Sequence, residues 1–432
     1  MAPNPAIMQA VEQLGYRVTV GDVATQAGFD VNLAQQGLLA LATDVGGHMQ
    51  VADSGEIVYL FPKNMQAILR NKFLRLRLQA WWKKVWRVLF YLIRVSFGAL
   101  LLASIALIFV TIFIIITAAS QSSNDNNRGR DYDGGGFFMP YFWIGPNWYG
   151  VFSPDYDRRY QERRQEGSQL NFFEAIFSFL FGDGNPNADL EERRQKQIAA
   201  VIRNNQGAVV AEQIAPYLDN VGTGYAQEYE DYMIPVLTKF DGQPQVSPEG
   251  DIVYIFPQLQ TSASQRRALS IPPYLQELPL RFSAASSGQI VMSAGLGVLN
   301  LVGALFLGNL LADGIAAAQL GGLVAFVQGI YWLLLGYGTA FLGVPLVRYF
   351  FLKWRNAKIS DRNAKRQERS LLLADAAVKN KINYARQFAA QNVISKENLV
   401  YTTETDMLDQ EIENSGQIDA EWQRRLRESG DR

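Results

Sequence analysis

Apolar residues recur along this chain at three different spacings, and each predicts a different kind of element. In residues 1–62, Ile7, Val11 and Leu14 recur at helical spacing, 17–20 reads as a short strand, and Asp22 caps a short helix carrying Val23 and Ala24 that ends at Gly28. A third helix follows over 31–44, with Leu33, Gly37, Leu38 and Leu41 turned inward, and Gly46-Gly47 ends it. Two alternating runs, 48–52 and 57–61, meet at Asp53-Ser54-Gly55, a hairpin turn. Helix, strand, helix, helix, hairpin is winged-helix order. It recurs over 189–257, with Ile198, Val201 and Ile202 on the first helix, a strand at 208–210, Tyr232, Met233, Val236 and Leu237 on the third helix, and a turn at Ser247-Pro248-Glu249-Gly250.

The recurrence extends to identity. Residues 47–62 and 242–257 agree at nine of sixteen positions with a constant offset of 195, which marks an internal duplication. The shared run contains Tyr59 and Phe61 in one copy and Tyr254 and Phe256 in the other, the expected partner-binding residues.

The longer apolar runs predict membrane spans. One lies within 88–119, and two more form a hairpin over 285–352 around Asp313-Gly314, since about 20 apolar residues suffice to cross a bilayer. Residues 63–87 interleave bases with Trp81, Trp82 and Trp86 and read as a basic amphipathic helix lying on an anionic leaflet, with Arg87 at the interface and Arg94 snorkelling to the headgroups. Residues 120–188 hold a polar linker, an aromatic interfacial loop with Trp143 and Trp148, a charged helix, and a short apolar helix over 171–181. Residues 258–284 are a linker. The tail, 353–432, is basic first and then reads as helices, one over 371–389 and a second over 396–412. Asn300, Asn309 and Gln328 are polar at membrane depth, placed for interhelical hydrogen bonds or for a pathway. The fold class is therefore mixed: an integral membrane α-helical protein of three to four spans, with two winged-helix-like α+β modules and a helical tail.

Topology carries a parity problem. The flanks before the first span and after the last are both basic, and basic flanks mark the cytoplasmic side. An extra crossing or re-entrant segment between Trp86 and Phe181, as a bend within 88–119 or a dip of the aromatic loop, places both modules and the tail in the cytoplasm; three plain spans separate the modules.

Composition then removes chemistry. With 40 Lys and Arg against 41 Asp and Glu, no global basic field points to nucleic acid. The 31–44 helix has no Lys or Arg, and its counterpart sets Glu228, Glu230 and Asp231 against Lys239, so DNA is a poor partner. Zero cysteines exclude disulfides, thiol nucleophiles and thiolate metal sites, and the one histidine, His48, reads as a solvated turn residue. No cofactor and no catalytic constellation is expected.

The repeated Gly-(Glu/Asp)-Ile-Val-Tyr-(Leu/Ile)-Phe-Pro, the run Phe177-Ser178-Phe179-Leu180-Phe181-Gly182-Asp183-Gly184-Asn185-Pro186 and the late Gly-rich hairpin resemble a family of membrane proteins of unassigned activity shared by cyanobacteria and the chloroplast envelope. The resemblance implies a photosynthetic source and a cyanobacterial plasma or thylakoid membrane. Plant relatives carry an iron–sulfur-cluster-biosynthesis name, but a chain without cysteine has no thiolate with which to scaffold a cluster. The expected function is a non-catalytic membrane scaffold or assembly factor whose modules dock protein, with membrane lipids and a second copy of the chain as further partners. A membrane-tethered DNA-binding regulator and a transporter or channel subunit are the alternatives.

Overall fold

Asn4 starts the first helix: its side-chain oxygen accepts from Ala6 N–H at 3.0 Å, and Pro5 follows where no N–H is needed. Helix α1 spans Pro5–Gln13 and strand β1 Arg17–Thr19. Thr19 and Asp22 form a reciprocal capping box that opens α2, Val20–Ala27, and Gly28, at φ 69°, ends it. Helix α3, Val31–Val45, is capped by Asp30 and ended by Gly46. The hairpin is β2, His48–Ala52, and β3, Ile57–Leu60. Helix α4, Met65–Lys72, precedes α5, which runs unbroken over Leu74–Ser122. The basic tryptophan-bearing stretch thus continues directly into the apolar stretch. It is neither a separate surface-lying helix nor followed by a hairpin within 88–119, because nothing between Leu74 and Ser122 breaks the helix and every residue type there tolerates it.

Helix α6, Phe172–Phe181, stops at Gly182. The second module follows: α7, Leu190–Asn204; β4, Ala208–Val209; α8, Ala211–Ile214; α9, Tyr225–Glu228; α10, Ile234–Phe240; β5, Gln243–Val246; and β6, Ile252–Ile255. Where a plain linker is expected, α11, Pro257–Gln260, and β7, Thr261–Ser262, form. Helices α12, Ser287–Leu311, α13, Ile315–Leu320, and α14, Gly322–Leu371, come next, then α15, Ala376–Ala385. Strands β8, Asn392–Val393, and β9, Leu399–Thr402, follow in the tail. Strand β9 corrects the expected helix over 396–412: Leu399, Val400, Tyr401 and Thr402 suit a pleated edge better than a helix, and they pair antiparallel with β2.

The computed structural model describes residues 3–72, 74–122, 170–265, 268–395 and 398–406, with 410, 422 and 423. They form two units. The first comprises Met1–Trp81, Pro186–Leu278 and Lys358–Arg432, and the second Trp82–Asn185 and Pro279–Ala357.

In the first unit the sheets are ordered β1-β3-β2-β9 and β4-β6-β5, so three strands of each module follow the same order. Their registers also correspond, with Val18 opposite Tyr59 and Val209 opposite Tyr254. Both modules contribute to one core, which includes Leu38, Leu41, Tyr59, Ile198, Ile202, Phe240 and Phe256. Each large apolar side chain buried there contributes roughly 1.5–3 kcal/mol. Contact between the modules is close enough that a Cβ on Gly28, which ends α2, would stand 3.2 Å from both the Gln195 Cβ and the Glu192 carbonyl of α7.

In the second unit three long helices pack through small residues. Ser104 of α5 meets Asn300 of α12, and Ile108 lies against Gly303 three residues further on, so α5 and α12 run parallel. Gly297 faces Phe341 and Gly308 faces Tyr331, so α14 runs antiparallel to α12. Tyr337 of α14 donates to the Phe97 carbonyl of α5 at 3.1 Å. Helix α6 packs beside the early part of α5, where Gly98 meets Phe173, and Gln289 of α12 donates to the Leu170 carbonyl at 2.9 Å. Ser122 and Leu170 therefore stand toward opposite ends of this bundle, since 24 residues of α5 beyond Gly98 rise about 36 Å.

Candidate docking site

Helix α3 buries Val31, Ala34, Leu38, Leu41, Ala42 and Val45, a three–four spacing that fixes which side faces out. The outward face carries Asn32, Leu33, Gln35, Gln36, Leu39, Ala40 and Thr43. None is charged. Leu33, expected inward, is 60% exposed, because it lies about a quarter turn off the buried stripe. The corresponding region of the second module presents Tyr225 and Tyr229 in ring contact at 4.1 Å, with Ile234 also exposed.

Tyr59, Phe61, Tyr254 and Phe256 do not present themselves to a partner. They are at most 4% exposed and belong to the shared core. The correction has a physical reason: β3 lies between β1 and β2 and β6 between β4 and β5, so both edges of each strand are paired, and Tyr59, Phe61, Tyr254 and Phe256 turn into the shared core. Tyr254 is held inside by its hydroxyl, which donates to Glu230 at 2.8 Å. Burial, then that bond and the Glu230 charge, push its phenol well above the ordinary range.

Buried charge pairs stitch the first unit, and none was foreseen. Asp22, besides capping α2, accepts from Arg203 of α7 at 2.5 Å, from Ser262 Oγ at 3.2 Å and from Ala263 N–H at 3.0 Å. Its side chain is fully buried. A carboxylate saturated with donors in this way is a joint between modules, not a free base. Beside it lies a polar cavity of about 210 Å³ lined by Arg203, Gln206, Gln260, Ser262 and Gln391 among others. Lys381 of α15 donates to Glu230 at 2.6 Å and Glu212 at 3.0 Å. Arg366, 1% exposed, donates to Glu277 at 2.8 Å and pairs with Asp219. Arg17 donates to the carbonyls of Ala263 and Ile394. These partners lie up to 377 residues apart, beyond any local sequence signal; only the presence of charges within apolar runs hinted at them. His48 is on β2, with Nδ1 3.1 Å from the Thr403 carbonyl, so it is not a solvated turn residue.

The residues expected at membrane depth separate. Asn300 is fully buried and donates to Ser104 Oγ at 2.7 Å, whereas Asn309 and Gln328 are exposed. Arg94 does not snorkel: it pairs with Asp183 at 3.0 Å and lies 3.9 Å from Glu174, which keeps it against α6. Trp81, Trp82, Trp86 and Arg87 are exposed. Trp143 and Trp148 lie outside the described residues. Among the described residues, no group of three potential metal ligands occurs.

Three helices are long and apolar enough to cross a membrane: Trp81–Ser120, Ser287–Leu311 and Gly322–Ala374. No family model matches the chain, and no solved structure matches it. It is similar to an uncharacterized chloroplastic protein of Arabidopsis thaliana, 38% identical over 439 residues, covering 98% of this chain and 82% of that protein. That relative's description carries a chloroplast location and no iron–sulfur activity.

Proposed function

The chain belongs to one family with this chloroplastic Arabidopsis thaliana protein, and we propose that it is a non-catalytic membrane scaffold whose winged-helix-like modules hold a protein partner on one side of the membrane. The uncharged outward face of α3 carries this reading. A recognition helix for DNA needs bases to neutralise phosphates, and this face has none, while Leu33 and Leu39 at 60% and 49% exposure suit a protein surface. On the second module, Lys239 lies in the field of Glu191 and Asp30, which leaves it little to offer a duplex.

Membrane crossing rests on the three apolar helices and on charge. Lys83, Lys84, Arg87, Lys353 and Arg355 gather toward one end of the bundle, whereas the turn at Asp313 has no base. That pattern favours modules on the cytoplasmic side of a cyanobacterial plasma or thylakoid membrane. Helices α5 and α12 run parallel and α14 runs back antiparallel, so the start of α5 and the end of α14, where these bases lie, fall at the same end of the bundle.

The test is a photo-crosslinking residue at Gln36 in the full chain within native membranes. Discrete adducts that disappear when Leu33 and Leu39 are changed to Lys are expected. A salt-dependent complex with duplex DNA, or adducts indifferent to those two changes, would falsify the docking reading.

A further inference from the structure

We infer that the second unit carries a binding collar for anionic phospholipid headgroups, built from both α5 and α14 at one end of the bundle. The inference rests on the membrane-crossing part of the proposed function. Its residues are Lys83, Lys84 and Arg87 on α5 and Lys353 and Arg355 on α14, all exposed. None has an acidic partner among the described residues. Arg355 instead lies 5.8 Å over the Phe351 ring of its own helix, which leaves its charge uncompensated.

The two halves of the collar stand at matching heights. Arg94 of α5 pairs with Asp183 at the end of α6, and Arg348 of α14 donates to the Phe179 carbonyl at 3.1 Å in the same helix. From these anchors Arg87 and Arg355 are each seven residues further along their helices, about 10 Å by helical rise. The inner arginines sit with Glu174 and Asp183, so that inner layer is balanced; the outer layer is not.

Its surroundings select a lipid over another polyanion. Trp82, Trp86 and Trp354 are 58%, 52% and 54% exposed beside the bases, the amphipathic placement expected at a headgroup layer. Directly above the α5 bases, Val88, Leu89, Phe90 and Leu92 are also exposed, which suits acyl chains and would be costly against a hydrated nucleic acid. A phosphodiester with two acyl chains satisfies both layers at once; a free phosphate satisfies only the charged layer.

The experiment places the full chain in lipid discs of phosphatidylcholine with and without phosphatidylglycerol and follows energy transfer from tryptophan to dansyl-labelled phosphatidylglycerol or phosphatidylcholine. At low salt, a preference of at least about tenfold for the anionic probe is expected, falling in high salt as screening removes it. Phosphatidylglycerol should also raise the Tm, and the K83Q/K84Q/R87Q/K353Q/R355Q variant should lose both the shift and the preference. Inorganic phosphate giving the same Tm shift would overturn the lipid assignment in favour of a free-anion site. Equal transfer to both probes in the wild-type chain overturns it without any variant, so a variant that fails to fold does not block the test. A chain that does not enter either disc removes the membrane reading itself, and with it this one.

Discussion

Lys381 illustrates what single residues do in this protein. Burial alone lowers its pKa, but the hydrogen bond to Glu230 and the charges of Glu212 and Glu230 outweigh it and hold the ammonium above its ordinary value. Its contribution to stability is therefore full below the ordinary lysine pKa and is lost as pH rises through the raised one. Glu277 behaves oppositely. Burial raises it, but Arg362 and Arg366 pull it below the usual carboxylate range. Its contribution is full above the ordinary pKa and fades as pH falls through the lowered one. The thermal stability of the full chain in mild detergent should thus decline below about pH 4 and above about pH 10. In Lys381→Met the buried Glu230 and the half-buried Glu212 lose their cation, a change on the order of 3–5 kcal/mol for a broken buried pair. That loss should be larger at neutral pH than at strongly alkaline pH, where the wild-type ammonium is itself deprotonated; an equal fall in Tm at both would show that Lys381 acts through packing alone. Arg203→Met should cost a similar amount by stranding Asp22. Sequence made Asp22 legible as a helix cap, because Thr19 and Gly28 frame it locally. Its pairing with Arg203, 181 residues away, had no local signature.

At the scale of elements, the two modules differ in how their sheet edges are finished. In the first, β2 takes β9: Met49 C=O accepts from Thr403 N–H at 2.9 Å, and Met49 N–H donates to Thr403 Oγ1 at 2.9 Å. The Gln410 carboxamide then closes β9 by bonding both to Thr402 N–H at 2.9 Å and to its carbonyl at 2.7 Å. In the second module the aligned residue is Pro244, which has no N–H to offer, although β5 is exposed along its length. A tail strand therefore has one proper seat. Removing residues 392–432 should leave the β2 edge open, and the shortened chain should elute from size exclusion as larger species than the full chain. A peptide of residues 396–410 added in trans should reverse this. A shortened chain that stays monodisperse with an unchanged Tm would mean that β9 contributes nothing to the edge. The strand was hard to read in advance for a topological reason. Its partner lies some 350 residues upstream, and a run of four β-prone residues between helical stretches gives no hairpin signal. The hairpins and the ends of α2, α3 and α6 were legible, because a glycine punctuates each within a few residues.

The whole molecule turns on one geometric fact: the modules share a core. Val23, Ala24, Ile198 and Ile202 belong to a single cluster, and Asp22 and Arg203 join inside it. A core cannot straddle a bilayer, so the expectation for a membrane crossed by the apolar bundle is that both modules lie on one side of it. Apolar run lengths announced the three long helices, but they could not settle this, because hydropathy counts spans and is silent about which soluble parts meet. Labelling decides it, and the chain suits the method because it has no cysteine of its own. Ser54→Cys reports one hairpin turn. Ser247 is unsuited to reporting the other: it is buried, and its Oγ accepts from Glu249 N–H at 3.2 Å and Asp251 N–H at 3.1 Å. Glu249→Cys is the better probe, on the exposed tip of the same turn. With a membrane-impermeant maleimide on sealed vesicles, the two cysteines should behave alike, both protected in one vesicle orientation and both reactive in the other. If one reacts while the other is protected, the modules lie in different compartments and the shared core does not exist in the membrane. A chain with three simple spans and two separate docking modules, bridging partners across the bilayer, is then the architecture to build on.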